Sequence, residues 1–151
     1  MANTQAMCTS FKGEILTATH NFGTAPVRAS GTADTFKAAL YLASATVNAS
    51  TTAYSSTGEV TGTNYSAGGV NVTNATAPTT SGTTAYWTPS ASIVYTNVTL
   101  STAFDAVLIY NSTQSNKSVS VHTFGSQTVT AGTFTLTMPT NDATNGLIRI
   151  A

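Results

Sequence analysis

The sequence predicts an all-β domain, an antiparallel β-sandwich or barrel-like fold with one short N-terminal helix. Three observations predict it. Thr, Val, Tyr, Phe and Ile dominate the apolar and near-apolar stretches. Gly, Asn, Ser and Pro punctuate them about every ten residues, a rhythm of short strands and turns rather than alternating strand and helix. Only one segment, residues 9–16, spaces its apolar residues (Phe11, Ile15, Leu16) as a helix does, with Ser10 placed to cap it.

The strands follow in order. Residues 34–42 alternate, with Phe36, Ala38, Leu40 and Leu42 on one face. Residues 70–73 form a short strand. Residues 85–87 form another, which Pro89 ends or confines to an edge. Residues 93–100 alternate weakly, and 104–110 are apolar on both faces, as in a central buried strand. Residues 119–124, 127–130 and 133–138 read as hairpin-linked strands joined at Gly125-Ser126 and Ala131-Gly132. Residues 147–150 close the chain. Residues 43–57 read as irregular, with one helical turn after Asn48, and 74–82 as a surface loop around Pro78. No boundary or firm repeat divides residues 1–151, so they form one domain, with residues 1–22 an N-terminal arm or short helix.

Charge is scarce. Only 7% of the 151 residues are charged, against about 25% in ordinary soluble domains. Five acids (Glu14, Asp34, Glu59, Asp105, Asp142) balance five bases (Lys12, Arg28, Lys37, Lys117, Arg149). The polar surface is therefore built from Ser, Thr and Asn, about two fifths of the chain. Hydroxyl and amide groups leave water more cheaply than charges do, so such a surface suits permanent burial in an assembly. No basic stripe offers itself to nucleic acid. Apolar stretches such as residues 107–110 are far short of the ~20 a membrane-spanning helix needs. The first twenty residues carry no leader-like apolar run. A lone cysteine, Cys8, allows no intrachain disulfide.

Catalytic and metal chemistry find no foothold. His20 and His122 have no ligand partners at useful spacing, so no metal site is expected. No nucleophile elbow occurs, the acids are scattered, and no cofactor motif appears; no enzyme activity is expected. The glycine-rich segment 58–69 lacks the Lys-Ser/Thr and the helix of a phosphate-binding loop. It reads as a structured loop in which Glu59 accepts backbone hydrogen bonds and Tyr65 pins the loop to the core. Seven Asn-x-Ser/Thr sequons, at Asn48, Asn64, Asn71, Asn74, Asn97, Asn111 and Asn116, would support a secreted, glycosylated domain as an alternative.

Several segments carry a resemblance. Residues 7–16 (MCTSFKGEIL), 35–41 (TFKAALY), 52–54 (TAY), 58–69 (GEVTGTNYSAGG) and 106–111 (AVLIYN) together resemble a family of small bacteriophage virion structural proteins. The resemblance runs from about residue 7 to the C-terminus, and segment 58–69 is its most specific part. It implies a place in the virion, assembled in the host cytoplasm. The first expectation is a capsid decoration (cement) protein that holds neighbouring major capsid subunits or other virion proteins together, as a homo-oligomer with a trimer favoured. The alternative is a tail, head-fibre or adhesion component that binds host surface glycan through Tyr54, Tyr65, Tyr86 and Trp87. The resemblance brings no catalytic residue with it.

Overall fold

The computed structural model describes residues 2–16, 18–23 and 33–151. Arg28 and the first residue lie outside them. The fold is all-β and sandwich-like, as expected. It contains β1 (Ala6–Met7), α1 (Thr9–Leu16), β2 (Phe36–Leu42), β3 (Val70–Asn71), β4 (Thr79–Ser81), β5 (Thr84–Trp87), β6 (Ile93–Asn111), β7 (Lys117–Leu136) and β8 (Ile148–Ile150). The main antiparallel sheet has the order β1-β7-β6-β2-β3, and a smaller sheet has the order β4-β5-β8.

One long hairpin dominates. β6 and β7 pair from Ile93↔Leu136 to Asn111↔Lys117. Its turn is set by Asn111, whose Oδ1 accepts from the backbone N–H groups of Thr113 and Gln114, and by Ser115 and Asn116 at positive φ. Here the structure corrects the sequence reading. The stretches 93–100 and 104–110 are one strand, and the three hairpin-like strands of 119–138 are also one. The supposed turns at 125–126 and 131–132 are register slips inside a continuous ladder, with Ala131 at φ 44°. Glycine marks a bulge as readily as a turn, and only the partner strand distinguishes them.

The slips bend the ribbon back over the sheet. Phe134 pairs across from Tyr95, yet its ring lies 5.0 Å from that of Phe104 and 5.3 Å from that of Phe124. The Tyr95 hydroxyl reaches the Ala38 carbonyl on β2 at 2.8 Å. Residues 59–63 then bridge β2 and the distal half of β6, through Tyr41↔Glu59 and Thr63↔Thr99, which gives a barrel-like closure. β2 is therefore enclosed on both faces: Ala38, Ala39, Leu40 and Tyr41 are all buried, where simple alternation had been expected.

Two further expectations change. Residues 79–81, read as loop, form β4 and pair with β5 around the Gly82-Thr83 turn. β5 is thereby the central strand of its sheet, ending just before Pro89. Ser10 does not cap α1; its hydroxyl is buried without a hydrogen-bond partner. The N-terminal segment, read as an arm or short helix, carries α1 and is docked on its own domain. β1 pairs with β7, Phe11 is buried, and Asn3 bridges the Leu42 carbonyl and the Val47 N–H. Phe22, Phe36 and Trp87, at ring separations of 4.5 and 4.6 Å, join this segment and the small sheet to the main core.

Candidate functional site

The glycine-rich loop is organised by one buried carboxylate. Glu59 lies beside β2 and accepts from three donors: the Tyr54 hydroxyl at 2.6 Å, the Tyr65 hydroxyl at 2.7 Å and the Gly68 N–H at 2.8 Å. The Tyr65 hydroxyl in turn accepts from the Leu40 N–H at 3.0 Å, which fastens the loop to the sheet. Tyr110 donates to the Gly68 carbonyl at 2.8 Å, and its ring stacks on Tyr54 at 4.7 Å. Burial, with Glu59 nearby, pushes the phenols of Tyr41 and Tyr110 up to about 12 and raises those of Tyr54, Tyr65 and Tyr95 as well. Glu59 and Tyr65 thus take the positions expected from sequence. The share of Tyr54 and Tyr110 was not legible, because stacking and convergence on one carboxylate leave no local spacing signal.

A second polar cluster ties the N-terminal segment to the hairpin turn. The His20 ring is held between Glu14 Oε2, 2.7 Å from Nε2, and Asn111 Nδ2, 3.1 Å from Nδ1. These partners assign the proton to Nε2. Lys117 donates to Glu14 Oε1 at 2.6 Å, and Asn111 donates to Asp34 Oδ2 at 2.8 Å. Burial would raise the Glu14 carboxyl, but its bonds from Lys117 and His20 outweigh this and hold it below the usual range. Burial lowers the His20 imidazole despite Glu14. Near neutral pH the cluster is therefore a Lys–Glu pair with a neutral histidine inserted as donor and acceptor. Its members come from opposite ends of the chain, so sequence reading had no means of grouping them. Among the described residues no three His, Cys, Asp or Glu side chains gather as a metal site requires.

The aromatic residues that suggested glycan binding are mostly engaged inside the protein. Trp87 is 1% exposed and donates to the Thr76 carbonyl at 2.9 Å. Tyr54 and Tyr65 serve Glu59. Tyr86 is half-buried beside an apolar cavity of about 180 Å³ that Phe11, Phe22 and Trp87 also line. The sequon residue Asn111 is fully buried.

What remains on the outside is hydroxyl-rich and nearly free of charge. No residue of 93–104 or 118–138 is Asp, Glu, Lys or Arg. Thr96, Ser101 and Thr102 on β6 and Thr128, Thr130, Thr133 and Thr135 on β7 are exposed. Beside them a groove of about 230 Å³ opens, lined by Ile93, Val107, His122, Phe124 and Leu136. Burial there pushes the His122 imidazole down to about 4, while Ser120 Oγ lies 2.9 Å from Nε2.

A pH prediction follows from His122. Between its unfolded value of about 6.5 and its folded value of about 4, the unfolded chain binds a proton that the folded chain does not. Stability is therefore expected to fall as pH drops through that window, by about 2–3 kcal/mol from this residue. Urea unfolding at pH 7 and pH 4 measures it, and His122→Gln is expected to lose most of that increment.

Comparison of the chain with family models, with curated proteins and with solved structures finds no match, so the resemblance to phage virion proteins rests on the residues quoted for it.

Proposed function

We propose that this chain is a non-enzymatic bacteriophage virion protein. It acts as a capsid decoration (cement) protein, assembled as a homo-oligomer onto the particle in the host cytoplasm and binding neighbouring major capsid subunits. One observation carries the reading: the few acids this chain has are turned to internal use. Glu59 and Asp34 are buried, Glu14 is held by Lys117 and His20, Asp105 accepts from Asn3, and Asp142 accepts from the backbone of Thr144 and Asn145. The exposed faces of β6 and β7 carry no Asp, Glu, Lys or Arg over residues 93–104 and 118–138 and are mostly threonine and serine. A surface of this kind loses little on desolvation and repels no second copy.

In this role the protein binds the assembled lattice and not free subunits, so stabilisation follows from mass action. With about 1,600 Å² buried at each of many equivalent sites, the sum over a shell is large. Virions lacking the protein are expected to lose infectivity sooner on heating and osmotic shock than complete ones, and complete ones to carry it in hundreds of copies. Equal resistance of the two kinds of particle overturns the reading.

A further inference from the structure

The C-terminal half of β7 forms a sheet edge that no described strand covers. β6 pairs with β7 on one side; on the other, β1 pairs with Ser120 and Val121, and Cys8, Thr52 and Ala53 reach residues 117–119. Beyond those residues no described strand lies alongside it. Such edges are ordinarily protected by charge, proline or bulges. Residues 118–138 contain no charged residue and no proline. Bulges protect part of the edge, because β7 carries extra residues between Thr123 and Gln127 and between Val129 and Gly132. Past them, Gly132–Leu136 runs with no extra residue of its own against β6.

We infer that this segment joins a second copy of the chain, antiparallel, about a two-fold axis at Thr135. The sequence around that point is self-complementary: Thr133, Phe134, Thr135, Leu136, Thr137. In an antiparallel join centred there, Thr135 faces its own counterpart, and Phe134 of each copy faces Leu136 of the other. Thr133, Thr135 and Thr137 are exposed, while Phe134, Leu136 and Met138 are half-buried. The join therefore continues a threonine ladder on one face and an apolar row on the other, next to the groove lined by Phe124 and Leu136. Thr–Thr and aromatic–aliphatic cross-strand pairs both favour pairing. A second copy also meets no like charge, since the segment is neutral and the chain has zero net charge. A charged partner would find no counter-charge here.

A join of five to seven residues at about 3.4 Å each is short. Its area falls below the ~1,000 Å² of permanent interfaces, so the dimer is weak in dilute solution and favoured at the high local concentration of a shell surface. The inference rests on the self-association part of the proposed function, but it specifies a two-fold contact where the resemblance implies a trimer.

Sedimentation equilibrium of the full chain from micromolar to millimolar concentration tests it. The expected result is a monomer–dimer equilibrium. Thr135→Lys and Thr135→Glu are each expected to weaken it at least about tenfold, because the new charge faces its own copy across the axis. An equimolar mixture of the two is expected to restore dimers. Thr135 is exposed, and unchanged thermal melts verify that both variants fold. A wild type monomeric at millimolar concentration, a trimer as the smallest species, or single variants as dimeric as wild type would each overturn the inference. A monomer that still binds and stabilises shells overturns this contact alone. A two-fold dimer that leaves shells no more stable overturns the cement reading alone.

Discussion

Gly69→Ala is expected to destabilise the protein by at least about 4 kcal/mol, a large part of the 5–15 kcal/mol that holds a domain of this kind together. Gly69 has φ 70°, a left-handed conformation that costs an alanine about 1–2 kcal/mol. The larger cost is steric. A Cβ at this position would stand 1.7 Å from the Ala38 carbonyl oxygen and 2.8 Å from the Ala39 Cα. Both are backbone atoms of the buried β2, so neither can rotate aside. The loop would have to lift, drawing Gly68 away from Glu59 and from the Tyr110 hydroxyl. Gly82→Ala is the matched control. Gly82 also has positive φ, 58°, but nothing lies within 4 Å of its Cβ position, so a loss of only about 1–2 kcal/mol is expected. Urea denaturation of the two variants measures the difference. Equal, small losses would mean that the loop is not seated as tightly on β2 as described.

Glu59→Ala is expected to cost at least about 3 kcal/mol, because three donors lose their acceptor and each unmet buried polar group costs about 1–3 kcal/mol. It leaves two tyrosine hydroxyls and the Gly68 N–H without their acceptor. Glu59→Gln keeps one oxygen for Tyr65 and Gly68 and turns an amide N–H₂ toward Tyr54, whose hydroxyl can rotate to accept; about 1–2 kcal/mol is expected. The decisive measurement is the triple variant Glu59→Ala/Tyr54→Phe/Tyr65→Phe. Removing the two phenol donors with their acceptor leaves only the Gly68 and Leu40 N–H groups unmet, so its loss is expected to be below the sum of the single losses. Strict additivity would mean that the three side chains do not form one network.

Much of the fold was legible locally. Helical spacing of Phe11 and Ile15 marked α1, alternation marked β2, β-branched and aromatic runs marked the cores of β6 and β7, and Pro89 marked the end of β5. The role of Glu59 was legible because a lone acid among close-set glycines has few partners other than its own loop. The errors share one cause. Thr79–Ser81 has no apolar residue to signal a strand, and is one because β5 lies beside it. Gly125 and Ala131 look like turns until β6 supplies the ladder that runs past them.

By itself the sequence determined the fold class, the scarcity of charge and the pinned glycine-rich loop, because propensity, composition and short-range hydrogen bonding act between near neighbours. Tertiary structure alone decided that β6 and β7 are one bent ribbon, that Glu14, His20 and Lys117 meet, and that a neutral strand edge faces outward. Each of those depends on contacts between residues far apart in the chain. Their free energy appears only once the chain has closed on itself, and local sequence carries no record of it.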